Sequence, residues 1–165
     1  MVKNYLLEIS TEMLSQNIIE DTFGPCILET SLSSGVVLAP LNEQVNALND
    51  LILQKFPGET IICTSHDTAT ACDRDESENE SIMLHFQPEY LAKINITSLP
   101  LHKLKLKIGA VVMLVRNLFV AAGLCNGTRL IVQKMMKNVL FYTVMMGDKK
   151  GNSVVIPRIT LNTRD

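Results

Sequence analysis

The chain has 165 residues, 47% of them hydrophobic and 19% charged, with a formal net charge of −2. That length suits one domain or two very small ones, and that apolar fraction suffices for a packed core, so disorder is not the default. No stretch approaches the roughly 18 uninterrupted apolar residues of a membrane span, and Met1 to Glu8 lacks the apolar core of a secretory leader. An intracellular location without a membrane partner is expected.

The small net charge conceals a division. Residues 1–92 hold 3 Lys/Arg against 15 Asp/Glu, a balance of −12, whereas residues 93–165 hold 12 against 2, a balance of +10. Such asymmetry suggests two functional regions, the second suited to a polyanion, with mutual attraction of the halves as the plainer alternative. Cys26, Cys63, Cys72 and Cys125 show no C-x-x-C spacing. They read as reduced, mostly buried thiols rather than a zinc site or a disulfide framework.

In chain order, Met13, Leu14, Ile18, Ile19 and Phe23 recur at helical spacing, and Gly24-Pro25 stops the run. After a Ser/Thr-rich loop over 30–34, Gly35 to Ala39 is a short apolar run, predicted as a strand buried on both faces of a parallel sheet and ended by Pro40. Asn42 stands where an N-cap belongs. Val45, Leu48 and Ile52 then form the apolar stripe of a helix running to about Lys55. A second apolar strand at Thr60 to Thr64 completes one β-α-β step. From His66 to Glu80 the chain is acidic and polar and reads as a solvated loop.

The second half changes character. Pro88 can open a short helix reaching about Asn95. Leu104, Leu106 and Ile108 then alternate with Lys103, Lys105 and Lys107, so that one strand face is apolar and the other a row of ammonium groups. Further strands are expected at 111–116, 128–134, 139–146 and 153–158, with turns at Lys137-Asn138 and Gly147 to Asn152. Five short strands in succession suggest a small antiparallel barrel of SH3-like or OB-like type.

No G-x-x-x-x-G-K-[ST] loop is present to cradle phosphates, and no acidic residue ends an apolar strand beside such a loop to hold magnesium. His66, His85 and His102 match no metal or triad motif, so no catalytic or metal-binding residue is expected. The three strand lysines repeat about every 6.6 Å, close to the phosphate spacing of an extended single strand. Arg116, Arg129, Lys134 and Arg158 extend this basic set. Exposed strand lysines also serve solubility and edge protection, the alternative reading. Phe119, Phe141 and Tyr142 are the only aromatics here, which favours contact with the backbone of a nucleic acid over stacking with its bases. Met135-Met136 and Met145-Met146 read as flexible core filling.

The stretch from Leu99 to Leu118, LPLHKLKLKIGAVVMLVRNL, and that from Gly123 to Leu130, GLCNGTRL, resemble the Pif-family DNA helicases. The likeness is strongest to members associated with Helitron-type transposons, and it reaches Val155 to Ile159 and back to Val37 through Val45 and Asn49. The resemblance implies an α/β fold plus a small β-barrel: a partial RecA-like second lobe at 1–65, an acidic loop at 66–87, an SH3-like 2B insertion at 88–135, and a β-rich return towards the lobe at 136–165. It also implies an ATP- and magnesium-dependent 5′-to-3′ helicase as the parent, with roles in DNA repair, recombination and telomere maintenance and a nuclear location.

The first lobe and the later motifs of the second are not found in the chain, which alone is expected to need no cofactor and neither to hydrolyse ATP nor to unwind DNA. Carried over by motif, Asn42 would approach the DNA backbone. Lys103, Lys105, Lys107, Arg116, Asn117, Asn126 and Arg129 would line the basic side, holding single-stranded DNA weakly and salt-sensitively. Asn126-Gly127 also reads as a plain tight turn. The missing helicase lobes are the other implied partner. The chain departs from the family at Leu41, Val111 and the Phe119–Ala122 loop, where relatives are more polar or carry proline. A protein-interaction module and a transposon-derived remnant are the rival readings.

Overall fold

A computed structural model of the chain describes residues 10–24, 35–69, 86–94, 96 and 99–162. The chain divides into two compact units, Met1–Pro57 and Gly58–Asp165. The division falls after Pro57, ahead of the expected boundary at 65, and it moves the strand near residue 61 into the second unit.

The first unit holds a 3₁₀ turn, Thr11–Met13, and helices α1 (Ile18–Phe23) and α2 (Asn42–Lys55). The run expected as one helix from Met13 is broken because Leu14 is extended, and α1 starts only where the Asn17 side chain accepts from the Glu20 N–H. That cap satisfies one of the orphan donors of the first turn. Ile19, Phe23 and Phe56 form the core, with Val37, Leu48 and Ile52 packed on it. The helical spacing of Leu48 and Ile52 places both on this side of α2. Glu20 pairs with Lys55 at 3.0 Å across the surface.

Two expectations for this unit are corrected. Gly35 to Ala39 forms no strand, and Ile61–Thr64, its expected neighbour, pairs with Lys103–Leu106 instead. Val37 turns to the core while Val36 and Leu38 are exposed. No β-α-β step forms among the described residues. Asn42 is the first residue of α2 rather than its cap: Leu41 takes that place and offers no side-chain acceptor.

The second unit contains β1 (Ile61–Thr64), a short helix α3 (Pro88–Leu91) begun by its proline, and strands β2 (Lys103–Leu106), β3 (Val111–Met113), β4 (Arg129–Met136), β5 (Val139–Val144) and β6 (Ser153–Pro157). β1 and β2 form an antiparallel pair, and β3-β4-β5-β6 form a four-stranded antiparallel sheet. The expected five-strand succession is therefore altered: β2 leaves the series to pair with β1, and β3 and β6 are the edges of the sheet. The strands expected as a separate return after residue 135 belong to this same sheet.

Alternation along the strands builds the core. Leu130 and Val132 of β4, with Tyr142 and Val144 of β5, face one side and are buried together with Leu124. Val112, Val154 and Ile156 pack on them from the edge strands. Burial pushes the Tyr142 phenol up to about 12, and the nearby Cys63 thiol adds to this. Between Val132 and Lys134 the register slips, a bulge that places Gln133 out of the ladder. Lys137-Asn138 is the two-residue connection between the paired Met136 and Val139, as expected.

Candidate nucleic-acid interface

The β1–β2 pair sets Lys103 opposite Thr64 and Lys105 opposite Ile62. Directly opposed residues share a face, and all four are exposed. The other face carries Cys63, Leu104 and the buried Leu106. The period-two reading therefore holds over β2, but it fails at Lys107. That residue is only 7% exposed, and Ile108 beside it is exposed instead. The strand stops at Leu106 and enters a tight turn in which the Ala110 N–H donates to the Lys107 carbonyl at 3.2 Å. Gly109, at φ +85°, donates in turn to the Val132 carbonyl at 2.7 Å and ties the turn to β4. The expected row of three lysines is thus a pair, Lys103 and Lys105.

Arg116, Asn117 and Asn126 lie on a loop closed by backbone bonds between its two arms, and Arg129 begins β4 just after it. The Leu114 N–H donates to Thr128 O, and the Gly127 N–H donates back to Leu114 O at 2.8 Å. Cys125 to Thr128 is a β-turn with its closing bond at 3.0 Å and Gly127 at φ +85°, a conformation that suits glycine. The Thr128 hydroxyl donates to Gly123 O at 2.9 Å and accepts from the Cys125 N–H at 3.2 Å. The Asn117 carboxamide oxygen accepts from the Asn126 N–H at 2.8 Å. Asn117 and Asn126 are therefore brought together, and both are exposed.

The arginines are half engaged in the fold. Arg116 donates to the Asn162 carbonyl at 2.8 Å and holds the segment after β6 beside the loop. Arg158 donates to the Thr64 carbonyl at 3.0 Å and links β1 to the end of β6. Arg129 begins β4 opposite Met113, half-buried. Lys134 sits 5.9 Å over the Phe141 ring. Asn42 lies in the first unit, exposed in the opening turn of α2.

Three features escaped the sequence pattern. His102, just before β2, has its Nδ1 2.6 Å from the Asp67 carboxylate and 2.9 Å from the Ser65 hydroxyl. Burial opposes ionisation of Asp67, but the bonds from His102 and Ser65 outweigh it and hold its carboxyl below the usual value. Serine and carboxylate meet the same ring nitrogen, whereas nucleophilic activation needs them on opposite nitrogens. The trio is a clamp joining the end of β1 to the start of β2. Phe119 is 61% exposed on the loop. Lys149 lies against Gly123, so closely that a Cβ there would come within 2.9 Å of its side chain. These depend on residues far apart in sequence, which local patterning does not link.

The sequence has no glycine-rich lysine loop for phosphates, and no group of three or more His, Cys, Asp or Glu among the described residues is placed to hold a metal ion. Among the described residues no helix is long and apolar enough to cross a membrane.

No curated protein matches the chain. Residues 89–135 match the family described as DNA helicase Pif1, 2B domain. The matched stretch runs from α3 through β2, β3 and the closed loop to nearly the end of β4. It covers both groups of basic residues, and over that stretch the chain is similar to this helicase domain.

Proposed function

We propose that the chain supplies a single-stranded DNA contact to a 5′-to-3′ helicase of the Pif type, through the basic surface of the second unit. Lys103 and Lys105 face solvent from one side of β2, Arg116, Asn117 and Asn126 act from the closed loop, and Arg129 acts from the start of β4. The observation that carries this reading is the coincidence of the family match with the exposed lysine pair on β2. Asn42 contributes from the N-terminal turn of α2, where backbone N–H groups favour a phosphate. The likeness to Helitron-associated members, a RecA-like origin for the first unit, an SH3-like character for the second, and nuclear work in DNA repair, recombination or telomere maintenance belong to the same proposal. So does the absence of ATP hydrolysis by this chain alone.

A second reading, a protein-interaction module or transposon-derived remnant, is favoured by the apolar side chains the first unit exposes, Leu38 and Leu41 among them.

Fluorescence anisotropy of a labelled single-stranded oligonucleotide at several salt concentrations separates these readings. About three neutralised phosphates give a log–log salt slope of about −2, at about −0.7 each. The expected result is binding with that slope, lost in the Lys103→Glu/Lys105→Glu double variant, whose substituted residues are exposed and leave the core intact. Absence of binding at low salt would assign the basic surface to a protein partner.

A further inference from the structure

We propose that the groove beside Phe119 is a base-stacking site for single-stranded DNA, with Phe119 taking the face of one nucleobase; this rests on the DNA-contact reading above. A groove of about 490 Å³ lies between the loop from Arg116 to Phe119 and the chain from Val155 to Leu161. Its walls are mainly aliphatic, and among the described residues no carboxylate lines it. Phe119 is 61% exposed, and Val155 and Ile159 are also open to solvent.

The ring stands on a fixed backbone. Phe119 and Leu124 exchange both of their backbone hydrogen bonds at 3.1 Å, and the Ala122 N–H donates to Phe119 O at 3.0 Å. Gly123 closes this short turn at φ +78°. An exposed aromatic on such a support loses little freedom when a ligand covers it.

Charge selects the occupant. Arg116 lines the groove, and its bond to Asn162 O holds the opposite wall in place. Lys149 lies beside Gly123 on the same turn. The surrounding sequence, residues 93–165, carries +10. The matching ligand has a flat apolar face and a negatively charged backbone, as an unpaired nucleotide within a single strand does. Duplex DNA keeps its base faces covered. An aliphatic peptide would fill the walls but leave the positive surround unmatched.

The test measures binding of an oligothymidylate, and of the same oligonucleotide bearing abasic sites, to the full chain and to its Phe119→Ala and Phe119→Trp variants. Stacking predicts that Phe119→Ala binds the oligothymidylate about tenfold more weakly with an unchanged salt slope, because no counterion is involved. Phe119→Trp retains binding. The abasic oligonucleotide binds the unaltered chain more weakly, and Phe119→Ala causes no further loss on it. Normal affinity of Phe119→Ala, with salt-sensitive binding intact, overturns the stacking site, leaves the DNA reading standing and returns the groove to a protein partner. Absence of binding by the unaltered chain at low salt overturns both.

Discussion

Thr128 bonds both Gly123 and Cys125, and Gly127 supplies the left-handed backbone that closes the turn between them. The run Gly123 to Arg129 is therefore in large part a device for building the loop. Its turn was legible in the sequence, because Asn-Gly is a local signal. The Asn117–Asn126 bond was not, because it links residues across the loop. The two asparagines and the glycine play different parts, and variants separate them. Gly127→Ala forces a Cβ into the left-handed region and is expected to destabilise the second unit by about 1–2 kcal/mol in urea unfolding. Asn126→Ala keeps the backbone N–H that the fold uses and is expected to unfold like the unaltered chain. Equal destabilisation by both would contradict this assignment of roles. Lys107 carries a related lesson. Alternation placed it with Lys103 and Lys105, but one turn of backbone put it in the interior.

At the scale of elements, β1 shows what a pattern of apolar residues leaves open. Ile61 to Thr64 reads correctly as a strand, yet nothing within those residues selects a partner. Pairing with β2 matches Cys63 to Leu104 and Ile61 to Leu106, gathering apolar side chains from both strands on one face, of which only Leu106 is buried. The Asp67–His102 clamp then holds the end of this pair. Its contribution depends on an ionised Asp67, whose carboxyl lies below its ordinary value of 3.8 in the fold. A depressed carboxyl stabilises the folded state above the unfolded value and loses that effect as pH falls through the folded one. The melting temperature of the second unit is therefore expected to drop on acidification below about pH 4. Asp67→Asn should flatten part of that dependence while lowering stability at neutral pH. An unchanged acid limb in the variant would remove the clamp from the account.

At the scale of the whole molecule, the two units differ in how much they bury. The second has Leu130 and Val132 fully enclosed within a sheet braced on both sides. Among its described residues the first buries only Ile19, Phe23 and Phe56, and no residue of α2 is fully covered. Val45 and Leu51 of that helix are exposed. Sparse burial gives low resistance to local opening, so amide hydrogen exchange is expected to be markedly faster over α2 than over β4 and β5. Comparable protection in both would mean that the first unit has support its own core does not provide.

The sequence by itself determined the charge division, the positions of α2 and of most strands, the turn at Asn126-Gly127 and the resemblance carried by the Leu99–Leu130 region. All of these depend on neighbours within a few residues, where periodicity, proline and glycine act directly. Only the tertiary structure decided that β1 joins β2, that Gly35–Ala39 forms no strand, that Lys107 is interior, and that Arg116 braces a groove containing Phe119. Those outcomes depend on which distant apolar faces and backbone groups satisfy one another, and several pairings are compatible with the same local pattern.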